Sequence, residues 1–561
     1  MVRGGFTVRC KLSAVPCLLS AVRKLSIALR AAAFYDAPTR KMTDSMLESV
    51  PTAAPVQTPL SKICIALQAD TPAELLACAE RALADSSFLE FRLDALDVPS
   101  SALATLAGFL KKHPEVTAVG TCRRRPGGGA FDGAIEDEFE ILAQAAAAGC
   151  RIVDLEIESA EAAKPEQVEA LKERLHAAGA ELLISFHDFQ QTHNLEIAAR
   201  RIAVFQPEFA KVVSTARRLA DNLPVLRMIE AHSKNTRFVG IAMGEEGIVS
   251  RVLGPRSGSA FTFASAGSGV ETAPGQVTAS TLRGLYRLEE IDAETRVFGV
   301  AGNPIAHSLS PLMQNAAFAA EGVNAVLLPL KAREVGDLLS LLCELPLAGC
   351  AVTMPFKLEV LPYLATKDPL VARIGACNTL RVGGNGAIEG FNTDVAGIVR
   401  PLQKRLELKG ARIALLGAGG AARAAAFGLV EEGAEVFLVN RTHATAVALA
   451  QECGATALTH AEFAAREFDV LLNSTPCGMK DAAQPLPIAA NELHAALVFD
   501  MVYNPLQTPL LKLAASRGIA TIGGIEMFVQ QGICQFELWT GKTAPEEVMF
   551  QTVEAALKAR Q

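Results

Sequence analysis

Residues 413–442 read IALLGAGGAARAAAFGLVEEGAEVFLVNRT, and this pattern predicts a strand, a glycine-rich turn, a helix and a second strand. Ile413 to Leu416 are an apolar run of strand length. Gly417, Gly419 and Ala422 follow in the G-x-G-x-x-A spacing, which allows a tight turn, close approach of a pyrophosphate and close packing of helix on sheet. The stretch therefore predicts a dinucleotide-binding unit and, with it, redox chemistry.

The end of the second strand indicates which dinucleotide is bound. The run Glu435 to Val439 is followed by Asn440, Arg441 and Thr442, whereas an NAD site places an acidic residue here against the ribose 2′-hydroxyl. A cationic side chain suits a 2′-phosphate instead, so we predict NADP(H). The alternative interpretation is an ordinary turn followed by a surface arginine.

Length and composition limit the other classes. A chain of 561 residues is too long for one core, and three or four domains are expected. A net charge of −7 without a clustered basic face argues against a nucleic-acid partner, and no apolar run reaches the length of a membrane span. The twelve cysteines include no C-x-x-C pair, so we expect neither a disulfide framework nor a metal site, and a reducing compartment is favoured.

The first 45 or so residues are basic, since six cations precede the first acid, Asp36. They are typical of an organelle transit segment, or equally of a dispensable or misassigned start with Met42 or Met46 as the true one. Either way we predict that residues 1–60 are disordered. The low aromatic content and alanine-rich helices favour a bacterial, cytoplasmic protein, and a plastid is the alternative if the segment is a transit signal.

Eight strand-like runs separated by helix-like segments occupy residues 61 to about 288, which predicts a (β/α)8 barrel. The capping box Thr71-Pro72-Ala73-Glu74 marks one helix start. The predicted strands are Lys62 to Leu67, Phe88 to Leu93, Ala118 to Cys122, Ile152 to Ile157, Glu181 to Phe186, Phe209 to Ser214, Arg237 to Met243 and Ser259 to Ala264.

Polar residues within or at the ends of these runs need a reason, because a packed barrel strand should be apolar and active sites form at the carboxyl ends. A buried Lys211 would have a lowered pKa and an amine free to attack a carbonyl. His187 ends the preceding strand and is the natural proton shuttle. The whole set is Glu90, Arg92, Arg123, Asp154, Glu156, His187, Lys211 and Arg251.

These residues lie in motifs that resemble type I 3-dehydroquinate dehydratase over the entire segment: EFRLD, TCR, VDLEIE, FHDF, AKV, MGEEGIVSR and TAPGQ. The resemblance implies that Lys211 forms a Schiff base with the substrate ketone, while His187 removes the adjacent proton and helps the hydroxyl leave as water. It also implies that the substrate is held by Glu90, Arg92, Arg123, Arg251, Thr272 and Gln276.

One position departs from the family. A glutamate that partners the catalytic histidine commonly follows the TCR arginine, and this chain has Gly127 at that offset. Asp132 or Glu136 replaces it, or nothing does.

A second substrate site is expected after Arg296, where a new strand begins. The run NPIAHSLSP places Ser308 and Ser310 at a helix start, where hydroxyls hold a small carboxylate well. Lys357 is the last residue of the run CAVTMPFK and lies just past a buried strand, and Asp394 follows a hairpin turned by Asn385-Gly386. A lysine and an aspartate at strand ends form either an acid–base pair or an ordinary surface salt bridge.

This half resembles shikimate dehydrogenase through GNPIAHSLSP, VTMPFK, GACNTL, GFNTD, GAGGAA, NRT, LLNSTPCGM, FDMVYNP and GGIEMFVQQ. The resemblance implies that Lys357 and Asp394 are the catalytic pair. The substrate would be surrounded by Ser308, Ser310, Thr353, Asn378, Asp394, Tyr503 and Gln531. The cofactor would lie on Gly417, Ala418, Gly419, Gly420, Ala421, Ala422, Asn440, Arg441, Thr442, Met501 and Gly524.

The expected organisation is α/β, with a barrel over 61–290 followed by a two-lobed unit. The two lobes are a substrate domain over 296–400, completed by helices near 525–560, and a Rossmann-like NADP domain over 405–524. By resemblance the chain would convert 3-dehydroquinate to 3-dehydroshikimate and then reduce it to shikimate. The alternatives are an NAD-linked quinate or quinate/shikimate dehydrogenase with an inactive barrel, and a regulatory protein that binds these metabolites without turnover. The second alternative expects lost catalytic residues, but Lys211, His187, Lys357 and Asp394 are all present.

Overall fold

The computed structural model describes residues 60–345, 347–480 and 482–560. The prediction of disorder over residues 1–60 falls almost wholly outside these ranges. The described chain contains three sheets of eight, six and six strands. Among its helices, none is long and apolar enough to cross a membrane.

The first sheet is a nearly closed parallel barrel, which confirms the predicted (β/α)8 fold. Its order is β7-β6-β5-β4-β3-β2-β1-β8, and Ala260 N donates to Phe238 O over 2.8 Å where the last two strands meet. The strands are β1 Ile63–Leu67, β2 Phe88–Arg92, β3 Thr117–Thr121, β4 Ile152–Glu156, β5 Glu181–His187, β6 Phe209–Thr215, β7 Arg237–Met243 and β8 Thr262–Ser265.

Helices surround this barrel in the order that a parallel sheet requires. The first begins as predicted, because the Thr71 hydroxyl accepts from Glu74 N and Pro72 takes the first helical position. The helices are α1 Pro72–Ala82, α2 Leu103–Lys112, α3 Ile135–Ala147, α4 Ile157–Ala162, α5 Pro165–Ala177, α6 Leu195–Val204, α7 Asn222–His232, α8 Ile248–Leu253 and α9 Ala279–Gly284.

The second sheet is mixed, with the order β10-β9-β11-β13-β14-β12. Its Asn385-Gly386 turn joins two antiparallel strands as predicted, and this hairpin leads the chain to Asp394. The strands are β9 Arg296–Gly302, β10 Ala325–Lys331, β11 Leu347–Val352, β12 Thr366–Lys367, β13 Thr379–Val382 and β14 Ile388–Phe391. The accompanying helices are α10 Ser310–Ala320, α11 Val335–Glu344, α12 Pro369–Ile374 and α13 Asp394–Gln403.

The third sheet is entirely parallel and has the doubly wound order β17-β16-β15-β18-β19-β20, which confirms the Rossmann-like prediction. The strands are β15 Arg412–Leu416, β16 Glu435–Val439, β17 Thr456–Ala457, β18 Phe468–Asn473, β19 Ala495–Asp500 and β20 Ala520–Gly523. The helices that follow are α14 Gly420–Glu431, α15 His443–Cys453, α16 His460–Ala464, α17 Pro509–Ser516, α18 Gly524–Thr540 and α19 Glu546–Ala559.

After the third sheet the chain returns to the second. Phe536 and Trp539 of α18 stack on Phe318 and Phe298, with ring centroids 5.7 and 5.0 Å apart. Trp539 Nε1 donates to Leu380 O over 3.0 Å, so the ring is anchored as well as packed. These contacts pack α18 against the second sheet and its helix α10.

This packing leaves no room for a side chain at Gly349. A Cβ there would lie 2.5 Å from Trp539 Nε1 and 2.7 Å from Leu380 O, so we expect Gly349→Ala to lower the free energy of unfolding by about 1–3 kcal/mol. Trp539 is the only tryptophan of the chain, so its fluorescence during urea unfolding reports on this lobe. Gly384→Ala is the control, since its Cβ would meet nothing within 4 Å. Equal unfolding midpoints for the two variants would contradict the prediction.

Candidate active sites

A cavity opens at the carboxyl ends of the barrel strands. The structure brings both predicted catalytic residues of the barrel to it, together with all six predicted substrate contacts. Those wall residues are Glu90, Arg92, Arg123, His187, Lys211, Arg251, Thr272 and Gln276. Phe189, Met243 and Phe263 supply apolar surface between them.

Asp154 is the anion beneath this cavity. Its Oδ2 accepts from Lys211 Nζ at 2.7 Å and from Arg123 Nη2 at 3.0 Å, while its Oδ1 accepts from Ser185 Oγ at 2.5 Å. Burial alone would raise the pKa of Asp154, but Lys211 and Arg123 outweigh burial and lower it. The carboxylate is therefore charged and holds two cations in a dry site.

Lys211 is 3% exposed, and its Nζ lies 4.1 Å from the centroid of the Phe263 ring. Glu90 stands 3.9 Å from the same nitrogen and accepts from the Thr121 hydroxyl at 2.8 Å. The amine is thus fixed from several sides and points into the cavity. A nucleophile in this setting needs little reorganisation before it attacks a bound carbonyl.

His187 is a neutral ring at ordinary pH. Burial, and then the neighbouring Arg123 and Lys211 cations, hold its pKa well below the ordinary value. Arg123 Nη1 lies 2.9 Å from His187 Nδ1 and also contacts Nε2, so the ring accepts from a guanidinium. A neutral imidazole beside a fixed lysine is equipped to accept a proton.

Arg251 is fully buried and only partly satisfied. Its Nη1 donates to Phe263 O over 2.6 Å, while Nε has no partner among the described residues. Burial lowers the pKa of this guanidinium to about 10. An unpaired buried cation facing a cavity is a strong receptor for an anionic ligand.

The position that lacks the expected glutamate is occupied from another strand. A Cβ built on Gly127 would lie 1.5 Å from Glu156 Oε1, so the carboxylate of Glu156 takes the space of a side chain there. Neither of the proposed substitutes reaches His187. Asp132 pairs with Arg125 at 3.1 Å, and Glu136 accepts from Gln167 at 3.0 Å.

The second candidate site is centred on Asp394, the first residue of α13. Asp394 Oδ2 accepts from Lys357 Nζ, and its Oδ1 accepts from Asn378 Nδ2 at 2.8 Å. Thr393 N donates to Asn378 Oδ1 over 2.8 Å, which fixes the amide that orients the aspartate. The predicted Lys–Asp pair is thus held by a third side chain, as an acid–base pair requires.

Two close helix contacts place Gln531 near this pair. A Cβ at Gly397 would lie 2.8 Å from Met527 O, and one at Gly532 would lie 2.1 Å from Met313 Cε. Helix α18 therefore lies against both α13, which begins with Asp394, and α10, which begins with Ser310. Tyr503 packs on α18 through Phe528, with ring centroids 5.0 Å apart, and burial raises the pKa of its phenol.

The predicted nucleotide turn has the required geometry. Gly417 has a φ of 108°, and a Cβ there would lie 2.5 Å from Ser474 Oγ, so only glycine fits. Gly419 and Gly420 face open space, with nothing within 4 Å of a built Cβ, while Ala422 is fully buried against the sheet. A Cβ at Gly524 would lie 2.4 Å from Met501 O, so these two predicted residues also meet.

The side chains that directly follow β16 are open to a ligand. Asn440 Nδ2 donates to Thr442 O over 3.0 Å, and Arg441 is exposed. No acidic residue occupies this strand end, so the residues fit a 2′-phosphate better than a free 2′-hydroxyl.

The sequence predicts no role for three residues at these sites. Asp154 stands out as a polar residue in an apolar strand, but the sequence does not indicate its partners. Phe263 gives no signal, because an aromatic residue in a buried strand is ordinary. Ser474 donates its hydroxyl to Leu416 O over 2.6 Å beside Gly417, and only its place in the motif LLNSTPCGM could have indicated it.

A barrel with a buried lysine and a neutral histidine, joined to a Lys–Asp pair beside a dinucleotide fold, defines a two-centre enzyme that combines lyase and oxidoreductase chemistry. Family models agree along the chain. Type I 3-dehydroquinase matches residues 63–293 and the shikimate dehydrogenase substrate binding domain matches 300–380. Shikimate / quinate 5-dehydrogenase matches 401–481, and the shikimate 5′-dehydrogenase C-terminal domain matches 524–554.

The bifunctional 3-dehydroquinate dehydratase/shikimate dehydrogenase of Arabidopsis thaliana, called chloroplastic, is 32% identical over 88% of this chain and 84% of its own length. The NADP(+) shikimate dehydrogenase of Methanosarcina acetivorans is 42% identical over 47% of this chain and 99% of its own. A crystal structure of Thermus thermophilus shikimate 5-dehydrogenase with NADP(H) and shikimate is 35% identical and covers 47% of this chain and 100% of that chain, with a TM-score of 0.44.

The chain therefore belongs to the bifunctional 3-dehydroquinate dehydratase/shikimate dehydrogenase family. Both resemblances drawn from the sequence motifs are confirmed.

The buried Glu156 gives this site a pH signature. Burial raises its pKa to about 7, while the unfolded side chain titrates near 4.5, so between these values the native state keeps a proton that the unfolded state loses. Wild-type stability should fall relative to Glu156→Gln as pH rises from 4.5 to above 7, by at most about 3 kcal/mol. Scanning calorimetry at pH 5 and 8 measures this difference. The exposed Glu136→Gln is the control, and parallel curves for wild type and Glu156→Gln would contradict the prediction.

Proposed function

We propose that this chain catalyses two consecutive reactions, the dehydration of 3-dehydroquinate in the barrel and the NADPH-dependent reduction of 3-dehydroshikimate to shikimate in the second half. The observation that carries the first assignment is a buried amine, Lys211, that shares a cavity with a histidine kept neutral. Membership of the bifunctional family supports both steps.

In the barrel, the Lys211 ammonium first gives up a proton, and the free amine attacks the substrate ketone. That proton leaves with the carbonyl oxygen as water, and a protonated imine is formed. The imine withdraws electrons, so His187 removes a proton from the adjacent carbon and then returns it to the departing hydroxyl, which leaves as water. Hydrolysis of the imine consumes one water, restores the lysine and frees 3-dehydroshikimate. Asp154 remains ionised throughout and keeps Lys211 in place.

The cations of the cavity would hold the anionic substrate. Arg251 has an unpaired buried Nε and suits the carboxylate, while Gln276 and Thr272 lie together on the opposite loop, joined at 2.8 Å. Arg92 is held by Asp94 through two hydrogen bonds of 2.7 and 2.9 Å, so it contributes a fixed donor. Glu90 offers an acceptor for a hydroxyl.

In the second half, Lys357 would protonate or stabilise the substrate oxygen, and Asp394 would support its charge. Asn378 orients Asp394, and Thr353 lies next to Gly302, where a built Cβ would be 2.5 Å from Thr353 Cγ2. Ser310 begins α10, and its backbone N donates to the Ser308 hydroxyl just before the helix over 3.3 Å. Tyr503 and Gln531 would complete the substrate contacts.

NADPH would lie on the turn formed by Gly417 to Ala422, with the exposed Arg441 beside its 2′-phosphate. When bound, the cofactor supplies hydride to the substrate carbonyl. The chain would then have three functional domains. These are a dehydratase domain of residues 61–290, a substrate domain of residues 296–400 with 525–560, and a cofactor domain of residues 405–524. An NAD-linked quinate dehydrogenase is less favoured, because Arg441 occupies the strand end where an NAD site has an acidic residue for the ribose 2′-hydroxyl.

The low aromatic content and the alanine-rich helices favour a cytoplasmic location. We propose a cytoplasmic enzyme, with a plastid as the alternative because the Arabidopsis relative is called chloroplastic. Expression of residues 1–60 fused to a fluorescent reporter in plant cells decides between them. Import of the reporter into plastids would overturn the cytoplasmic assignment.

Reduction by borohydride in the presence of 3-dehydroquinate should trap a covalent adduct on Lys211, because an imine is reducible and a hydrogen-bonded complex is not. Mass spectrometry of the peptide carrying Lys211 detects it. Lys211→Ala should form no adduct and lose dehydratase kcat on the order of 10⁴-fold. The same variant should still oxidise NADPH with 3-dehydroshikimate, which shows that it is folded. An adduct-free wild type would refute the barrel mechanism.

Arg441→Ala should raise KM for NADPH by roughly 10- to 100-fold, because a charge-assisted hydrogen bond to the 2′-phosphate is lost. KM for NADH should not change, since NADH has no phosphate there. Steady-state assays with both cofactors measure this ratio. Lys512→Ala removes an exposed cation from the same unit and is the matched control. An unchanged NADPH preference in Arg441→Ala would assign that preference to other residues.

A further inference from the structure

We propose that two cations of the dehydrogenase half, Lys331 and Arg333, position one wall of the dehydratase cavity and so set the affinity of the barrel for its substrate. This inference rests on the proposed function of the barrel. The residues involved lie outside both catalytic sets, and they connect the two halves of the chain.

This wall is the segment from Met243, the last residue of β7, to Arg251 in α8. Both of these side chains line the cavity. Between them the chain turns through Gly244, with a φ of 89°, and then presents Glu245 and Glu246. The segment therefore faces the substrate at both ends and carries two acids in its middle.

These acids meet cations from the second sheet. Lys331, the last residue of β10, contacts Glu245 and lies 3.7 Å from Glu246, while Arg333 lies 3.6 Å from Glu246. The hydrogen bond with Glu245 raises the pKa of Lys331, so this side chain stays charged. Glu246 is the least exposed member of the group, with a side chain 12% exposed.

The same segment also touches the loop on the other side of the cavity. Gly244 N donates to Pro274 O over 3.0 Å, and a Cβ at Gly275 would lie 2.2 Å from Gly244 O. That loop carries Thr272 and Gln276, both of which line the cavity. A displacement of the acidic turn would therefore move contacts on both sides of the substrate.

A buried amide transmits the position of the turn to Arg251. Asn222 Nδ2 donates to Glu246 O over 2.8 Å, and Asn222 Oδ1 accepts from Ser250 N at 2.9 Å, one residue before Arg251. The turn and the start of α8 thus move together. The dehydrogenase cations hold this unit from outside, because among the described residues no cation of the barrel forms an ion pair with Glu245 or Glu246.

The double variant Lys331→Ala/Arg333→Ala in the full chain tests the proposal. We expect KM for 3-dehydroquinate to rise about fivefold, the effect of losing a partly exposed ion-pair group, with kcat changed less than KM. Raising the salt concentration should increase the wild-type KM toward that of the variant, because the contacts are screened. Exchange of charge in Lys331→Glu/Glu245→Lys should restore part of the affinity that Lys331→Glu loses.

Arg227→Ala is the matched control. Arg227 pairs with Glu344 across the same two halves, but it lines no part of the dehydratase cavity, so KM should stay at the wild-type value. The inference is overturned if Lys331→Ala/Arg333→Ala keeps the wild-type KM, or if Arg227→Ala raises KM equally. A wild-type chain without dehydratase activity would instead refute the proposed function itself.

Discussion

The barrel site depends on one buried anion. Asp154 lies between Lys211 and Arg123, and without it two cations would face each other and His187 in a cavity shielded from water. Burying charges of one sign is costly, while a hydrogen-bonded carboxylate between them offsets most of that cost. The same two cations act on the neighbouring histidine. The pKa of His187 is low first because the ring is buried, and then because Arg123 and Lys211 disfavour a further positive charge.

Glu156 illustrates a different constraint. Its carboxylate accepts from Arg124 N at 2.7 Å and fills the space beside Gly127, so a side chain at position 127 and this rotamer of Glu156 exclude each other. The glycine is therefore not an empty position in the site. Glycine at position 127 is what allows Glu156 of the next strand to reach this point. Burial raises the pKa of Glu156 there to about 7.

Periodicity and turn chemistry were sufficient for the architecture. The sequence pattern places the ends of each barrel strand within about three residues of their positions in the structure, and the turn residues alone locate the Asn385-Gly386 hairpin. The partners of charged groups were not predictable in the same way. The structure joins Asp154 to Lys211 across 57 positions and Lys331 to Glu245 across 86, and single-sequence patterns carry no information on such pairings. The substitutes suggested for the missing glutamate failed for this reason, since Asp132 and Glu136 are close in sequence but directed elsewhere.

The returning helix α18 also has a consequence for the order in which the chain matures. Gln314 Nε2 donates to Gly532 O over 2.9 Å across 218 positions. The lobe that contains the second sheet therefore cannot complete its packing until residues much later in the sequence have been synthesised. At ribosomal rates of about 5–20 residues per second, that interval is roughly 10–40 s. All residues of the barrel are synthesised before this interval begins. During synthesis a finished dehydratase therefore stands beside a dehydrogenase lobe whose aromatic core is still open, and that lobe is the part of the nascent chain that needs protection from aggregation.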